Sequence, residues 1–226
     1  MSWAEIVDAL NSTKKNLNLF KPLDEWLKYR GGDIAYEYES AGTFSLTVPE
    51  WATIAIVTAC GGGGGGNYMT YDSSIEDYVA DKGGAGGCAI CNKIYTVTGG
   101  ASLSINVGKG GAGGKRQSST TTAPTNGGST RVGSLVTLVG GTAKSTSSSG
   151  QGSGGAGNVG LTGGVYASNA YCGGGSLGNG GCRDTSDGDY LFPTRGGGGG
   201  AAMYHSGNGY DTGQDGADGY VKIVFK

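Results

Sequence analysis

The chain has 226 residues, a formal net charge of −2, and 50 glycines among only 36% hydrophobic and 15% charged residues. Without long runs of one charge sign, nucleic acid and anionic membrane surfaces are excluded as main partners. The glycines follow no strict Gly-X-Y period, which excludes a collagen triple helix. Because 13 tyrosines and several Val/Ile-rich segments accompany them, we expect an ordered domain with a thin core rather than a disordered chain.

Residues 1–32 differ in composition from the rest and are predicted to form a short α-helical segment. One amphipathic pattern covers residues 2–10 behind a capping box, and a second opens at Pro22 and stops at two glycines. Helices this short cannot bury their apolar side alone, so we expect it to mediate attachment or oligomerisation. The residues concerned are Trp3, Ile6, Val7, Leu10, Leu23, Trp26 and Leu27. The N-terminus predicts no signal peptide, and no stretch predicts membrane insertion.

Residues 33–226 are predicted to form a glycine-rich β domain. Alternating or β-branched patterns predict strands at 33–39, 43–60, 94–97, 103–107, 135–139 and 220–225. The period of two shifts across Pro49-Glu50, which predicts a corner between two strands. We expect the last strand to pair with the first, so that a small antiparallel β-sandwich frames the glycine-rich body.

The glycine runs themselves are predicted to be an ordered body. Six consecutive glycines occupy residues 61–66, and related runs follow at 83–87, 108–114, 152–157, 173–175 and 196–200. A chain in the polyglycine II conformation has about three residues per turn and no internal hydrogen bonds, so parallel or antiparallel copies can bond laterally. Phosphate binding is disfavoured, since no glycine run has the spacing of a phosphate loop ahead of a helix.

No constellation of residues predicts catalysis, a metal or a cofactor. Cys88 and Cys91 have CxxC spacing, but Cys172 and Cys182 are too far apart for a usual zinc site, and small reduced thiols are favoured. The carboxylates of Asp184, Asp187, Asp189, Asp211, Asp215 and Asp218 miss known Ca²⁺-loop spacings and are interpreted as solvated turn residues. His205 has no nucleophile motif beside it. The chain is therefore predicted not to be an enzyme.

The segments between the glycine runs are rich in Tyr, Asn, Asp and Ser, which is typical of recognition surfaces. If the runs are packed rods, these segments gather at rod ends and can present aromatic rings together. The candidate receptor-binding residues are Tyr68, Tyr71, Tyr78, Tyr166, Tyr171, Tyr190, Phe192, Tyr204, His205 and Tyr210. The alternative is that about half of the tyrosines cover the thin core.

Four stretches together resemble the glycine-rich domain of bacteriophage and prophage tail-fibre and tail-tip proteins. They are GTFSLTVPEWATIAIVTACGGGGGG, VGKGGAGG, GSLVTLVGG and GADGYVKIVFK, within residues 40–226. ALNST and FKPLDEWL resemble an N-terminal segment of tail proteins from phages of Gram-positive bacteria. A looser likeness is to the fibre-tip adhesins of T-even-like phages, which pack polyglycine helices and carry aromatic loops but lack this N-terminal piece.

The resemblance implies a virion part, made in the host cytoplasm and located at a tail fibre or tail tip. Its expected partners are other phage tail proteins and a host cell-surface glycan or protein receptor. Fibre symmetry makes a homotrimer the expected assembly. The alternative is a purely structural tail component, a spacer or cap without receptor binding, and an enzyme acting on cell-wall polymer is a remote third.

Overall fold

The computed structural model describes residues 35–72, 77–79, 83–117, 120–143, 176–183, 190–202 and 212–226. These residues are mainly β, every strand pair is antiparallel, and none of them is helical. The mainly β class predicted from the sequence is confirmed. The helices predicted in residues 1–32, with all seven of their apolar residues, lie outside the described residues. The strands are β1 (Ala35–Tyr38), β2 (Gly42–Thr47), β3 (Ile54–Cys60), β4 (Thr70–Asp72), β5 (Asp77–Val79), β6 (Ala89–Thr96), β7 (Ser102–Val107), β8 (Lys115–Gln117), β9 (Thr120–Thr122), β10 (Thr130–Val132), β11 (Val136–Leu138), β12 (Cys182–Arg183), β13 (Tyr190–Leu191) and β14 (Tyr220–Phe225).

The first sheet has the strand order β1-β14-β3-β6. The last strand pairs with the first as predicted, with Tyr36 opposite Ile223, and its other edge pairs with β3. Alternation along β14 buries Val221, Ile223 and Phe225, because every second side chain of a strand points to the same face. β14 therefore lies inside the sheet and ties the two ends of the described chain together.

The second sheet has the order β11-β10-β7-β2. Its best-defined strand, β7, buries every second residue and exposes the Ser and Asn residues between them. The chain crosses from β2 in this sheet to β3 in the first at the corner predicted around Pro49. Hydrogen bonds from Val48 N to Ala101 O and from Gly100 N to Val48 O, both 2.9 Å, hold the corner against the return crossing from β6 to β7.

One hydrophobic cluster joins the inward-facing residues of both sheets. Val57, Ile223 and Phe225 from the first sheet and Ile105 and Val132 from the second belong to it, and all are almost fully buried. Burying side chains of this size contributes about 1.5–3 kcal/mol each. This shared core fixes the directions of the strands, and with them the points at which the glycine segments leave the sheets.

The glycine segments leave both sheets at the same end. β3, β7 and β11 each run directly into a glycine segment, and β6 and β14 each begin directly after one. Ala35 is opposite Val224 in the register of β1 and β14, so the start of β1 lies at the other end of the sheet, near the C-terminus. The sheets thus separate the entry of residues 1–34 from the glycine-rich body.

Candidate functional site

The central element of the glycine-rich body is residues 61–66. Their N–H groups donate, in order, to the carbonyl oxygens of Cys88, Gly128, Ala217, Ala85, Thr125 and Gln214, at 2.8–3.0 Å. Residues three apart therefore donate to the same neighbouring segment, and that segment runs antiparallel to residues 61–66. A period of three distinguishes this arrangement from a β ladder, in which the period is two.

Three further segments pack against the Cα atoms of the same run. A Cβ added at any of the six glycines would lie within 3.0 Å of their backbone atoms, at Val139, Lys109, Gly197, Thr142, Ala112 and Gly200 in order. Two of these segments also donate hydrogen bonds to carbonyl groups of residues 61–66: Gly111 N to Gly63 O at 2.8 Å, and Gly199 N to Gly64 O at 2.9 Å. Glycine is required at all six positions because no side chain fits between the backbones.

Together these segments form what we term the glycine lattice. Its members are residues 61–66, 83–88, 108–114, 125–128, 139–143, 196–202 and 213–219. The lattice is stabilised chiefly by backbone hydrogen bonds between segments that are distant in sequence, since glycine offers no side chain to pack.

Side-chain oxygens complete the hydrogen bonding at the perimeter of the lattice. Asp218 accepts from Gly110 N through Oδ1 at 2.8 Å and from Ala41 N through Oδ2 at 2.9 Å. Asp215 Oδ1, three residues earlier, accepts from Gly113 N at 2.7 Å. The sequence interpretation of these aspartates as solvated turn residues missed this role. The signal was present, because two Asp residues three apart face two glycine N–H groups three apart.

The glycine lattice has a far end, opposite the sheets. Its level is marked by three hydrogen bonds of 2.8 Å: Gly114 N to Gly66 O, Ala202 N to Asn67 O, and Gly213 N to Gly114 O. The chain leaves the lattice at this end after residues 67, 114 and 202, and it returns near 83, 125 and 213. The segments between these points, 68–82, 115–124 and 203–212, therefore start and finish at one end of the molecule.

A family model described as a glycine-rich domain matches residues 39–226. The chain belongs to this glycine-rich domain family. Comparison with curated proteins gives no match. The match begins just before β2 and takes in the second sheet, the glycine lattice and β14, whereas residues 1–34 and β1 precede it.

Within the glycine-rich domain, the described part of the predicted receptor-binding set lies mainly at the far end. Tyr68 follows Asn67 directly, and the backbones of Tyr71 and Tyr78 are opposite one another in the β4–β5 hairpin. Tyr190 lies in β13, which pairs with β12. β12 directly follows Gly181, and the Gly181 N–H donates to Gly198 O at 2.8 Å in the outer half of the lattice. The residues of this set outside the described part are Tyr166, Tyr171, Tyr204, His205 and Tyr210.

The two groups of undescribed candidates have different flanking residues. Tyr204, His205 and Tyr210 fall between Ala202 and Gly213, both of which lie at the far end. Tyr166 and Tyr171 precede Ser176, whose Oγ donates to Gly87 O at 2.7 Å near the sheets. The residues that flank the first group thus lie at the far end on both sides, whereas the second group is followed by a residue near the sheets.

Two aromatic residues of the set have described side chains. Tyr68 is half-buried, and its ring carbon Cδ1 would be 3.0 Å from a Cβ added at Gly114, so the ring packs on the end of the lattice. Phe192 is 69% exposed. Tyr68 thus has a structural contact with the lattice, whereas Phe192 exposes most of its surface.

A small electrostatic cluster surrounds Arg195 beside the first sheet. Arg195 Nη2 is 3.0 Å from Glu39 Oε1, and its guanidinium carbon lies 4.6 Å from the centre of the Tyr220 ring. The Cys60 thiol donates to Arg195 O at 3.1 Å. Burial raises the pKa of Cys60 to about 11, so this thiol is neutral at physiological pH and is not activated as a nucleophile.

A shallow groove of about 540 Å³ crosses the outer face of the second sheet. Its one charged side chain is Arg131, whose Nε donates to Gly133 O at 2.8 Å. The other residues that line the groove are Thr43, Ser104, Asn106, Ser129 and Thr137. Its lining side chains carry hydroxyl, amide and guanidinium groups, and it lies on the second sheet, away from the far end of the lattice.

The described residues contain neither a metal cluster nor a membrane-spanning helix. No group of three or more His, Cys, Asp or Glu side chains in that part could hold a metal ion. Cys88 is buried and Cys91 is exposed, and both are free thiols. Within the same residues, no helix has the length and apolarity needed to cross a membrane.

Proposed function

We propose that this chain is the host-attachment part of a phage tail fibre or tail tip, and that its glycine-rich domain presents aromatic segments to a host cell-surface glycan. The resemblance of residues 42–66 and 216–226 to tail-fibre proteins supports this proposal. The observation that carries it is that segments 68–82 and 203–212, with their tyrosines, start and finish at the far end of the lattice. Such a protein is located in the virion.

We infer that the glycine segments are polyglycine II-type helices and that the two sheets form a β-sandwich. The period of three in the donors of residues 61–66, and six neighbouring segments around one run, support the first inference. The core shared by the two sheets supports the second. With a rise of about 3.1 Å per residue, a six-residue run holds the aromatic segments about 19 Å away from the sheets. The lattice then acts as a rigid spacer for recognition.

Recognition of a glycan by such segments uses ring stacking on sugar faces, together with hydrogen bonds from Asn and Asp side chains. Each contact is weak, and several copies are needed for firm attachment. In a homotrimer joined through residues 1–32, simultaneous binding raises the avidity by about 10²–10⁴ over one site. The remaining partners in this proposal are other phage tail proteins, bound through the same N-terminal segment.

The test is a triple substitution in the full-length protein: Tyr71→Ala, Tyr204→Ala and Tyr210→Ala. Tyr68 is left in place because its ring packs on Gly114, and its loss would confound stability with recognition. We expect an unchanged melting temperature and loss of adsorption to host cells. Arg131→Ala, in the groove of the second sheet, is the matched control and should adsorb normally. Normal adsorption of the triple variant would refute the proposal.

The competing function is a purely structural tail component. The packing of Tyr68 on the lattice favours it, since this tyrosine has a contact that requires no receptor. Under this alternative the triple variant adsorbs normally, or virions carrying it fail to assemble their tails. Counting assembled tails by electron microscopy beside the adsorption assay separates the two functions.

A further inference from the structure

The outer faces of the two sheets differ in chemistry. The exposed residues of the second sheet are hydroxyl or amide side chains with one guanidinium: Thr43, Ser45, Thr47, Ser102, Ser104, Asn106, Arg131 and Thr137. This is the ordinary pattern for an antiparallel sheet with one face in water. The outer face of the first sheet departs from it near the end where the described chain begins.

A row of apolar residues crosses all four strands of the first sheet there. In register, Ala35 is opposite Val224, Val224 is opposite Ile56, and Ile56 is opposite Ile94. We term these four residues the apolar row. Val224 and Ile56 are half-buried, and Ile94 is 63% exposed.

The neighbouring row of the same face is polar. Lys222 Nζ lies 2.8 Å from Glu37 Oε1, and Thr58 Oγ1 is 3.2 Å from Asn92 Oδ1. The apolar character is therefore confined to a strip at the end of the sheet that is remote from the glycine lattice. A strip of this kind, between water and a polar row, indicates that something covers it.

We propose that residues 22–30 of the same chain dock on the apolar row, which leaves residues 2–10 to join copies of the chain or tail partners. The first argument is chain connectivity. Ala35, the first described residue, is itself a member of the row, and only residues 31–34 separate it from the predicted second helix. Four residues span at most about 14 Å when fully extended. Leu23, Trp26 and Leu27 are therefore held close to the row.

The second argument is size and chemistry. The row crosses three strand spacings, which is about 14 Å. A nine-residue helix over residues 22–30 is about 13 Å long. One helix laid across the strands thus covers the row from β1 to β6. The helix cannot bury its own apolar residues, and the sheet cannot bury the side chains of the apolar row. Docking places the two sets of side chains in contact.

Hydrogen–deuterium exchange of the full-length protein, read by mass spectrometry, tests this docking. We expect amides in residues 23–28 to exchange at least about tenfold more slowly than in an unstructured peptide. Ile94→Lys should return them to the unstructured rate, because burial of an isoleucine contributes about a tenfold factor or more. Thr137→Lys, on the outer face of the second sheet, is the matched control and should leave the protection intact.

Ile94 is suitable because it lies on an exposed edge strand, so its substitution leaves the shared core in place. Exchange in β3 and β14 reports whether the fold is kept, and Ile94→Ser is a milder second variant. Unprotected residues 23–28 in the wild type, or protection that survives both Ile94 variants, would overturn the proposal. So would protection that disappears on dilution, which would instead identify a second copy as the covering partner.

Discussion

Gly64→Ala is the sharpest test of the glycine lattice. The new methyl group would lie within 3.0 Å of the backbone of Thr142 and Ala143. Backbone atoms cannot rotate away as a side chain can, so residues 139–143 must move as a unit. That movement breaks the hydrogen bonds from Ala85 N to Thr142 O at 2.9 Å and from Gly141 N to Gly62 O at 2.7 Å.

The size of the effect follows from these two bonds. Leaving a buried backbone group unpaired costs about 1–3 kcal/mol, so the free energy of unfolding should fall by about 2–6 kcal/mol. For a domain of this length, each kcal/mol lowers the melting temperature by about 2–4 °C. We therefore expect the melting temperature to fall by roughly 4–24 °C. The corresponding loss of about 2–6 kcal/mol is a large share of the free energy of unfolding of an ordinary domain.

Calorimetry or urea unfolding of the full-length protein measures this difference. Ala112→Ser is the control, because Ala112 belongs to the lattice but its side chain is exposed. The sign of the effect is diagnostic. In a flexible run, replacing glycine by alanine stabilises by about 0.4–1 kcal/mol, since the unfolded chain loses freedom. A Gly64→Ala protein that is as stable as the wild type, or more stable, would refute the lattice.

Two further predictions concern the perimeter of the lattice and its buried thiol. Asp218→Ala should lower the free energy of unfolding by about 2–4 kcal/mol in urea titrations, because the N–H groups of Gly110 and Ala41 lose a charged acceptor. Asp218→Asn keeps one acceptor oxygen and should lower the free energy of unfolding by less. Equal losses in the two variants would contradict this role of Asp218. The raised pKa of Cys60 stabilises the fold below pH 9, and this stability should be lost as pH rises from 9 to about 11. Cys60→Ala should flatten that decline, and an unchanged slope would show that Cys60 is not its cause.

The sheets could be predicted from the sequence wherever a strand is long and alternates. β7 and β14 were predicted within a residue of their ends, and the corner at Pro49 was predicted between two strands. The three-residue strand β10 was missed, because Thr130–Val132 is too short to show a period. β6 begins at Ala89, earlier than predicted. Its first residues pair with the end of β3 beyond a register shift, and no local sequence pattern encodes this pairing.

The candidate site was less accessible to prediction from sequence. Lateral hydrogen bonding between glycine runs could be predicted from the chemistry of glycine. Which runs become neighbours depends on where the strands of both sheets end, and that could not be predicted. The role of Asp218 depends on Gly110, which is 108 residues away in the chain. Recognition by the aromatic segments and oligomerisation through residues 1–32 stay predictions.

Two of the runs nevertheless differ in sequence in a way that matches their depth within the lattice. A chain with a period of three directs every third residue the same way. In residues 108–115 the non-glycine positions are Lys109, Ala112 and Lys115, three apart, and all three are exposed. In residues 61–66 all directions face backbone, and no side chain is present. The uninterrupted run 61–66 therefore lies at the centre of the lattice, whereas the run 108–115 places its non-glycine residues at the perimeter. The long glycine run is a packing requirement and not a linker.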